Sequence, residues 1–279
     1  MLKHLDVARP RSVIAWAVAC GVVAGLLAAT YASIVGEPLV DRAIAIEEAT
    51  ASTDHDDLGH PAGEEHADDS IEVSRPTQRG AGLFSAYALL GAACGLLLAA
   101  SSLSLRGPWL DPFRRIVIAG GILATAITVV PWFKYPPNPP AVGDPSTASE
   151  RQAYYFLLIA LSCVVLAGAA HLSARLRQAD WPGYRRLVAV GATAVVGLAL
   201  LVAVMPANTD PISSAVPAKL IWQFRVASLG GTTIMWSLLT IGFGLLCAES
   251  VRARAHAAAK AGQPADQNSM PFIAEIPFS

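Results

Sequence analysis

Six apolar stretches, at about 13–35, 83–105, 116–133, 154–173, 187–205 and 226–248, decide most of what this 279-residue chain can fold into. Each is nearly free of charge inside and is bounded by charged residues, Pro or Gly. A helix that crosses the hydrocarbon core of a membrane needs about 20 mostly apolar residues. None of the stretches alternates with the period of two that a barrel strand requires. The expected fold is therefore all-α: a polytopic integral membrane bundle of about six transmembrane helices over residues 1–254. The tail at 255–279, rich in Ala, Gly, Pro and Gln, is expected to be disordered. Hydrophobic residues make up 54% of the chain and charged residues 15%, against roughly 45–50% and 25% in soluble domains. That balance excludes an ordinary soluble enzyme, and the lipid bilayer is the first partner it implies. The 20 Lys and Arg gather into no basic face, so no nucleic acid is expected. The chain has no nucleotide-binding loop, HExxH or GxSxG, so the reading is not an enzyme.

Lys3, Arg9 and Arg11 precede the first apolar run, as in a signal peptide, but the run exceeds the usual 7–15 residues and is read as a retained helix. With both termini cytoplasmic, the inner segments carry 13 Lys and Arg and the outer ones seven, which sets the orientation. Cys20, Cys94, Cys163 and Cys247 all fall in or at the end of apolar spans and read as packing residues. Gly21-x3-Gly25 and Gly91-x3-Gly95 would let two helix backbones approach closely.

Polar chemistry collects in three outer loops. The first, residues 36–82, opens with Glu37-Pro38 and continues as an amphipathic helix, with Pro38 suited to a first helical position. Glu37, Asp41 and Glu48 share one narrow stripe of it, and Leu39, Val40, Ala43 and Ile44 cover another face. Glu37 and Asp41, one turn apart, could grip a single cation. Between Asp54 and Glu72 stand His55, His60 and His66 with eight carboxylates. Imidazole suits borderline transition metals and carboxylate suits harder ions, so the mixture fits a divalent metal. Gly59, Pro61 and Gly63 argue against a rigid cage, so the segment reads as loose capture rather than tight binding. Arg75 and Arg79, on the face where positive charge is disfavoured, are expected to pair with the acids of the Glu37 helix.

The second outer loop has five prolines in residues 131–140 and should be stiff and extended. Lys134, Pro136, Asn138 and Pro139 belong to it, and Asn138 and Asp144 offer oxygens to a partner or cation. The third, 205–225, adds Asn208 and Asp210. Arg225 stands at the mouth of the last span, where it is expected to turn inward and pair with Glu37 or Asp41. No Asp, Glu or His lies near the middle of a span, so a permeation path would use backbone, hydroxyls such as Thr125, Thr128, Ser162 and Thr232, or another subunit.

Four outer segments, 37–49, 73–80 (Val-Ser-Arg-Pro-Thr-Gln-Arg-Gly), 133–144 (Phe-Lys-Tyr-Pro-Pro-Asn-Pro-Pro-Ala-Val-Gly-Asp) and 224–230, resemble the CbtA family of probable cobalt transporter subunits. The resemblance covers roughly 13–248. It implies Co2+ uptake for cobalamin synthesis across the inner membrane of a prokaryote, with no tightly bound cofactor and a small single-span CbtB-type subunit as partner. The alternative is a non-transporting metal-binding or assembly protein for Ni2+ or Zn2+, whose ligand preferences overlap with those of Co2+.

Overall fold

The computed structural model describes residues 9–56, 74–105, 111–140, 142–208, 210, 212 and 215–262. They form helices and connecting turns with no strand among them. The helices are α1 (Pro10–Tyr31), α2 (Glu37–Asp56), α3 (Arg75–Thr77), α4 (Leu83–Ser104), α5 (Pro112–Ala124), α6 (Val130–Lys134), α7 (Ala148–Gln178), α8 (Gly183–Val204) and α9 (Ala218–Gly262). Joined through their π turns, these give six helices long and apolar enough to cross a membrane.

Three π turns explain how these nine helical segments become six rods. Ala32–Gly36 joins α1 to α2, Gln78–Gly82 joins α3 to α4, and Thr125–Val129 joins α5 to α6. The first and the last end two residues before a proline, Pro38 and Pro131. A proline ring inside a helix clashes with the carbonyl four residues back and offers no N–H. Widening the preceding turn relieves that clash without ending the rod. Pro38 is thus not the start of a separate amphipathic helix, as its sequence position suggested, but lies within a rod running from Pro10 to Asp56. The last helix likewise continues to Gly262, past the expected tail boundary at 255; residues 263–279 lie outside the described residues.

α1 and α4 pack antiparallel through the two glycine motifs. A Cβ on Gly21 would land on the Gly91 carbonyl, one on Gly25 on the Tyr87 carbonyl, and one on Gly95 on the Ala17 carbonyl. Backbone meets backbone there, which only glycine permits. Ala17, Ala28, Leu98, Ile116, Leu239 and Phe243 extend this seam into the main core, formed by α1, α4, α5 and α9. A second cluster joins α6, α7 and the end of α8 through Val130, Leu158 and Met205. α8 buries none of its own residues, and Val195 and Val204 are exposed. Apolar side chains facing outward are stable where the surrounding solvent is lipid.

These rods alternate in direction, so one end of the bundle gathers α2, α3, the proline-rich segment, the start of α7, the loop after α8 and the start of α9. We call this end the mouth. On α2, Leu39 and Ala43 are buried against Val216, Leu220 and Ile221, which turns the opposite, acidic face toward α3.

Candidate functional site at the mouth of the bundle

Because α2 continues α1 without a break, Glu37 and Asp41 stand one turn apart at the mouth. Arg75 and Arg79 stand four residues apart on the approach to α4, and the two pairs interlock. Arg75 Nη2 lies 2.8 Å from Glu37 Oε2 and 3.1 Å from Asp41 Oδ1. Arg79 reaches the same acids at 3.6 and 3.1 Å. Glu37 is 8% exposed, a burial that a carboxylate tolerates only when paired. Glu37 and Asp41 do share a cation, but it is a guanidinium of this chain. Glu48 lies exposed farther along α2 and joins neither arginine. Among the described residues no group of three His, Cys, Asp or Glu could hold a metal. The side chains of His55, His60 and His66 lie outside the described residues.

Arg225 departs from expectation. It makes no ion pair with Glu37 or Asp41; its Nη2 and Nε donate to Asn138 Oδ1 at 2.7 and 3.3 Å. The reason is neighbourhood. α9 runs beside α5 and α6, and Trp132 Nε1 on α6 donates to the Arg225 carbonyl at 3.0 Å, setting the proline-rich segment over Arg225. Asp144 accepts from the Ser146 N–H at 2.8 Å and the Ser146 hydroxyl at 2.7 Å. Those two bonds, helped by Arg151, hold its carboxyl below the ordinary range. Asp210 accepts from the Thr147 hydroxyl at 2.9 Å and forms an ion pair with Arg151. Both expected acids of this region are therefore already engaged. Lys134 and Pro136 line the space between these groups, and Pro139 is buried.

Arg151 and Thr147 carry part of this arrangement and were missed in the sequence. The signal was available for Arg151, since it lies on the side where positive charge is disfavoured, as Arg75 and Arg79 do. The Tyr135 hydroxyl, which donates to the Pro206 carbonyl at 2.7 Å and ties the second loop to the third, carried no comparable signal.

Two cavities follow one another from the mouth inward. The outer one, about 550 Å³, is lined by Lys134, Asn138, Arg151, Asn208, Asp210 and Arg225 among others. The inner one, about 360 Å³, is largely apolar, with Thr128, Ser228 and Thr232 hydroxyls beside Cys94 and Met235. Tyr135 and Tyr155 line both. Of the four hydroxyl residues singled out in the spans, Thr128 and Thr232 thus reach one cavity. Thr128 Oγ1 accepts from Trp236 Nε1 at 3.1 Å. Ser162 is buried on α7, where its hydroxyl has no partner among the described residues.

A family model described as "Probable cobalt transporter subunit (CbtA)" matches residues 11–248. The chain belongs to the CbtA family. No curated protein and no solved structure matches it. The segments that carry the CbtA resemblance meet at the mouth: 37–49 and 74–80 through the four-charge clamp, 133–144 and 224–230 through Asn138 and Arg225. In this CbtA chain those four segments thus meet at one end of a bundle whose six long helices are apolar enough to cross a membrane.

Proposed function

We propose that this CbtA chain gathers Co2+ on the extracytoplasmic face of a prokaryotic inner membrane and assists its import for cobalamin synthesis. It does so as one subunit beside a small single-span CbtB-type partner. In this reading both termini are cytoplasmic, the mouth faces outward, and His55, His60 and His66 with their neighbouring carboxylates capture the metal. No cofactor is held tightly; Co2+ is cargo.

The observation that carries the reading is the clamp at the root of the His-bearing segment. α2 carries the chain on from Asp41 to Asp56, and the described chain resumes at Ser74, next to Arg75. Glu37 and Asp41 hold Arg75 and Arg79 there, at distances of 2.8–3.6 Å. The clamp in this way joins the two helices, α2 and α3, between which the stretch rich in imidazole and carboxylate lies in the sequence. Loose ligands held near an entrance raise the local concentration of a divalent ion without a preformed cage. Family membership supplies the metal, since the chain's own ligands do not separate Co2+ from Ni2+ or Zn2+.

The test is cellular cobalt content by elemental mass spectrometry in a bacterium lacking other cobalt importers. The chain alone, the chain with its small partner, and the His55/His60/His66→Ala variant of each are compared. Extra cobalt that requires the partner and falls in the variant is the expected result. Content equal to the empty vector, with the protein present in the membrane, sinks cobalt import. Metal bound by purified protein without any uptake would leave a binding or assembly protein instead.

A further inference from the structure

The outer cavity has a donor and charge balance opposite to that of a cation site. Lys134, Arg151 and Arg225 line it against a single carboxylate, Asp210. Arg151 takes up Asp210. Arg225 spends its contacts on a neutral amide oxygen, Asn138 Oδ1, and Lys134 has no hydrogen-bond or ion-pair partner among the described residues. Two positive charges therefore stand in the cavity without a countercharge.

The acceptors nearest these cations are engaged as well. Asn138 Oδ1 is engaged by Arg225, which leaves the amide its N–H donors. Asp210 accepts from the Thr147 hydroxyl, the Arg151 guanidinium and, at 3.4 Å, the Asp144 N–H. What remains on offer includes the Lys134 ammonium, the rest of the Arg225 guanidinium and the Asn138 amide N–H, beside Gln152 and Tyr155, which can donate as well as accept. A space with two surplus cations and free N–H donors complements an oxyanion, and a bare divalent cation would be repelled from it. A volume of about 550 Å³ falls within the range of small-molecule sites, roughly 300–1,000 Å³.

We infer that the outer cavity binds a small multivalent oxyanion, carboxylate or phosphate, between Lys134 and Arg225. The inference concerns metal-free anion binding and stands apart from the cobalt reading. Such an anion has two sources, a soluble metabolite or a lipid headgroup, and the test separates them.

Full-length protein is placed in nanodiscs of zwitterionic lipid alone and titrated calorimetrically with citrate and with inorganic phosphate, in chloride buffer without metal. Lys134→Gln and Arg225→Gln are compared with Lys219→Gln, an exposed cation outside the cavity. Saturable binding weakened at least about tenfold by Lys134→Gln, and unaffected by Lys219→Gln, is the expected result for a soluble anion; that loss corresponds to one charged hydrogen bond. In a second arm, phosphatidylglycerol that stays with the wild type through purification, is displaced by citrate and is lost from Lys134→Gln identifies the headgroup as the source. Lys134 is half-buried and makes no bond among the described residues for its variant to break, so that variant folds even if Arg225→Gln does not, and a wild-type thermal midpoint verifies this. No saturable binding in either arm, or equal binding by wild type and Lys134→Gln, overturns the inference.

Discussion

Arg75 Nη2 sits 2.8 Å from Glu37 Oε2, joining the first rod, just past its π turn, to the start of the second. Glu37 is buried, and its remaining guanidinium partner, Arg79, is more distant at 3.6 Å. Removing Arg75 leaves a buried carboxylate poorly compensated, whereas neutralising both partners removes the mismatch. Arg75→Gln is expected to lower stability by about 1–3 kcal/mol, and Glu37→Gln in the same chain should restore part of the loss. Unfolding midpoints of the two single variants and the double variant in detergent measure the coupling. Additive effects would show that the pair is incidental.

The same clamp separates two places where metal could bind. With Glu37 and Asp41 held by arginines, Glu37→Gln should leave the Co2+ affinity of purified protein unchanged. The His55/His60/His66→Ala variant should weaken it at least about tenfold, or about 1.4 kcal/mol. Isothermal titration with CoCl2 decides, and the reverse order of effects would return the metal to the acidic stripe of α2.

At the α1–α4 seam, Gly91→Ala drives a methyl group into the Gly21 carbonyl. Neither backbone can yield without separating the rods, so a loss of about 1–3 kcal/mol is expected, as for overpacked cores. Gly168→Ala on α7 meets open space and should be neutral or slightly stabilising through helix propensity. Thermal midpoints of the two variants, read side by side, check the contrast. Equal behaviour would mean that the rods do not touch at Gly91.

Asp144 gives a pH dependence of definite sign. Its carboxyl is held below the ordinary range by the Ser146 hydroxyl first, then by the Ser146 N–H. A depressed folded-state value means the contribution is fully present above the unfolded value, near 3.8, and is lost as pH falls through the lowered one. The amides of Ser146 and Thr147 should therefore stay protected at pH 6 and lose protection in strong acid. Hydrogen exchange corrected for intrinsic rates measures this, and Asp144→Asn should abolish the dependence. Protection that persists in acid would show that the carboxylate does not cap the turn.

Much of this architecture is legible along the chain. Six spans, their helical type and the two glycine faces depend on contiguous or regularly spaced residues, which hydropathy and helical period report directly. The partners of Arg75 and Arg79 could also be read, because α2 and the start of α4 flank one loop and the nearest acids in sequence are the nearest in space. Pro38 marks where local reading ends. Its position suits a helix start, yet packing of Leu39 and Ala43 against α9 keeps the rod continuous, and a π turn absorbs the ring.

The destination of the remaining mouth charges required the folded chain. Arg225 finds Asn138, 87 residues away in sequence, because α6 and α9 are neighbours and Trp132 pins the segment between them. Arg151 finds Asp210, 59 residues away, because α7 and α8 pack as a pair and the loop after α8 returns over the start of α7. Hydropathy determines which segments enter the membrane, since burial in lipid is a property of each segment alone. Which charges meet at the mouth depends on which helix ends become neighbours, and close packing over long sequence separations decides that.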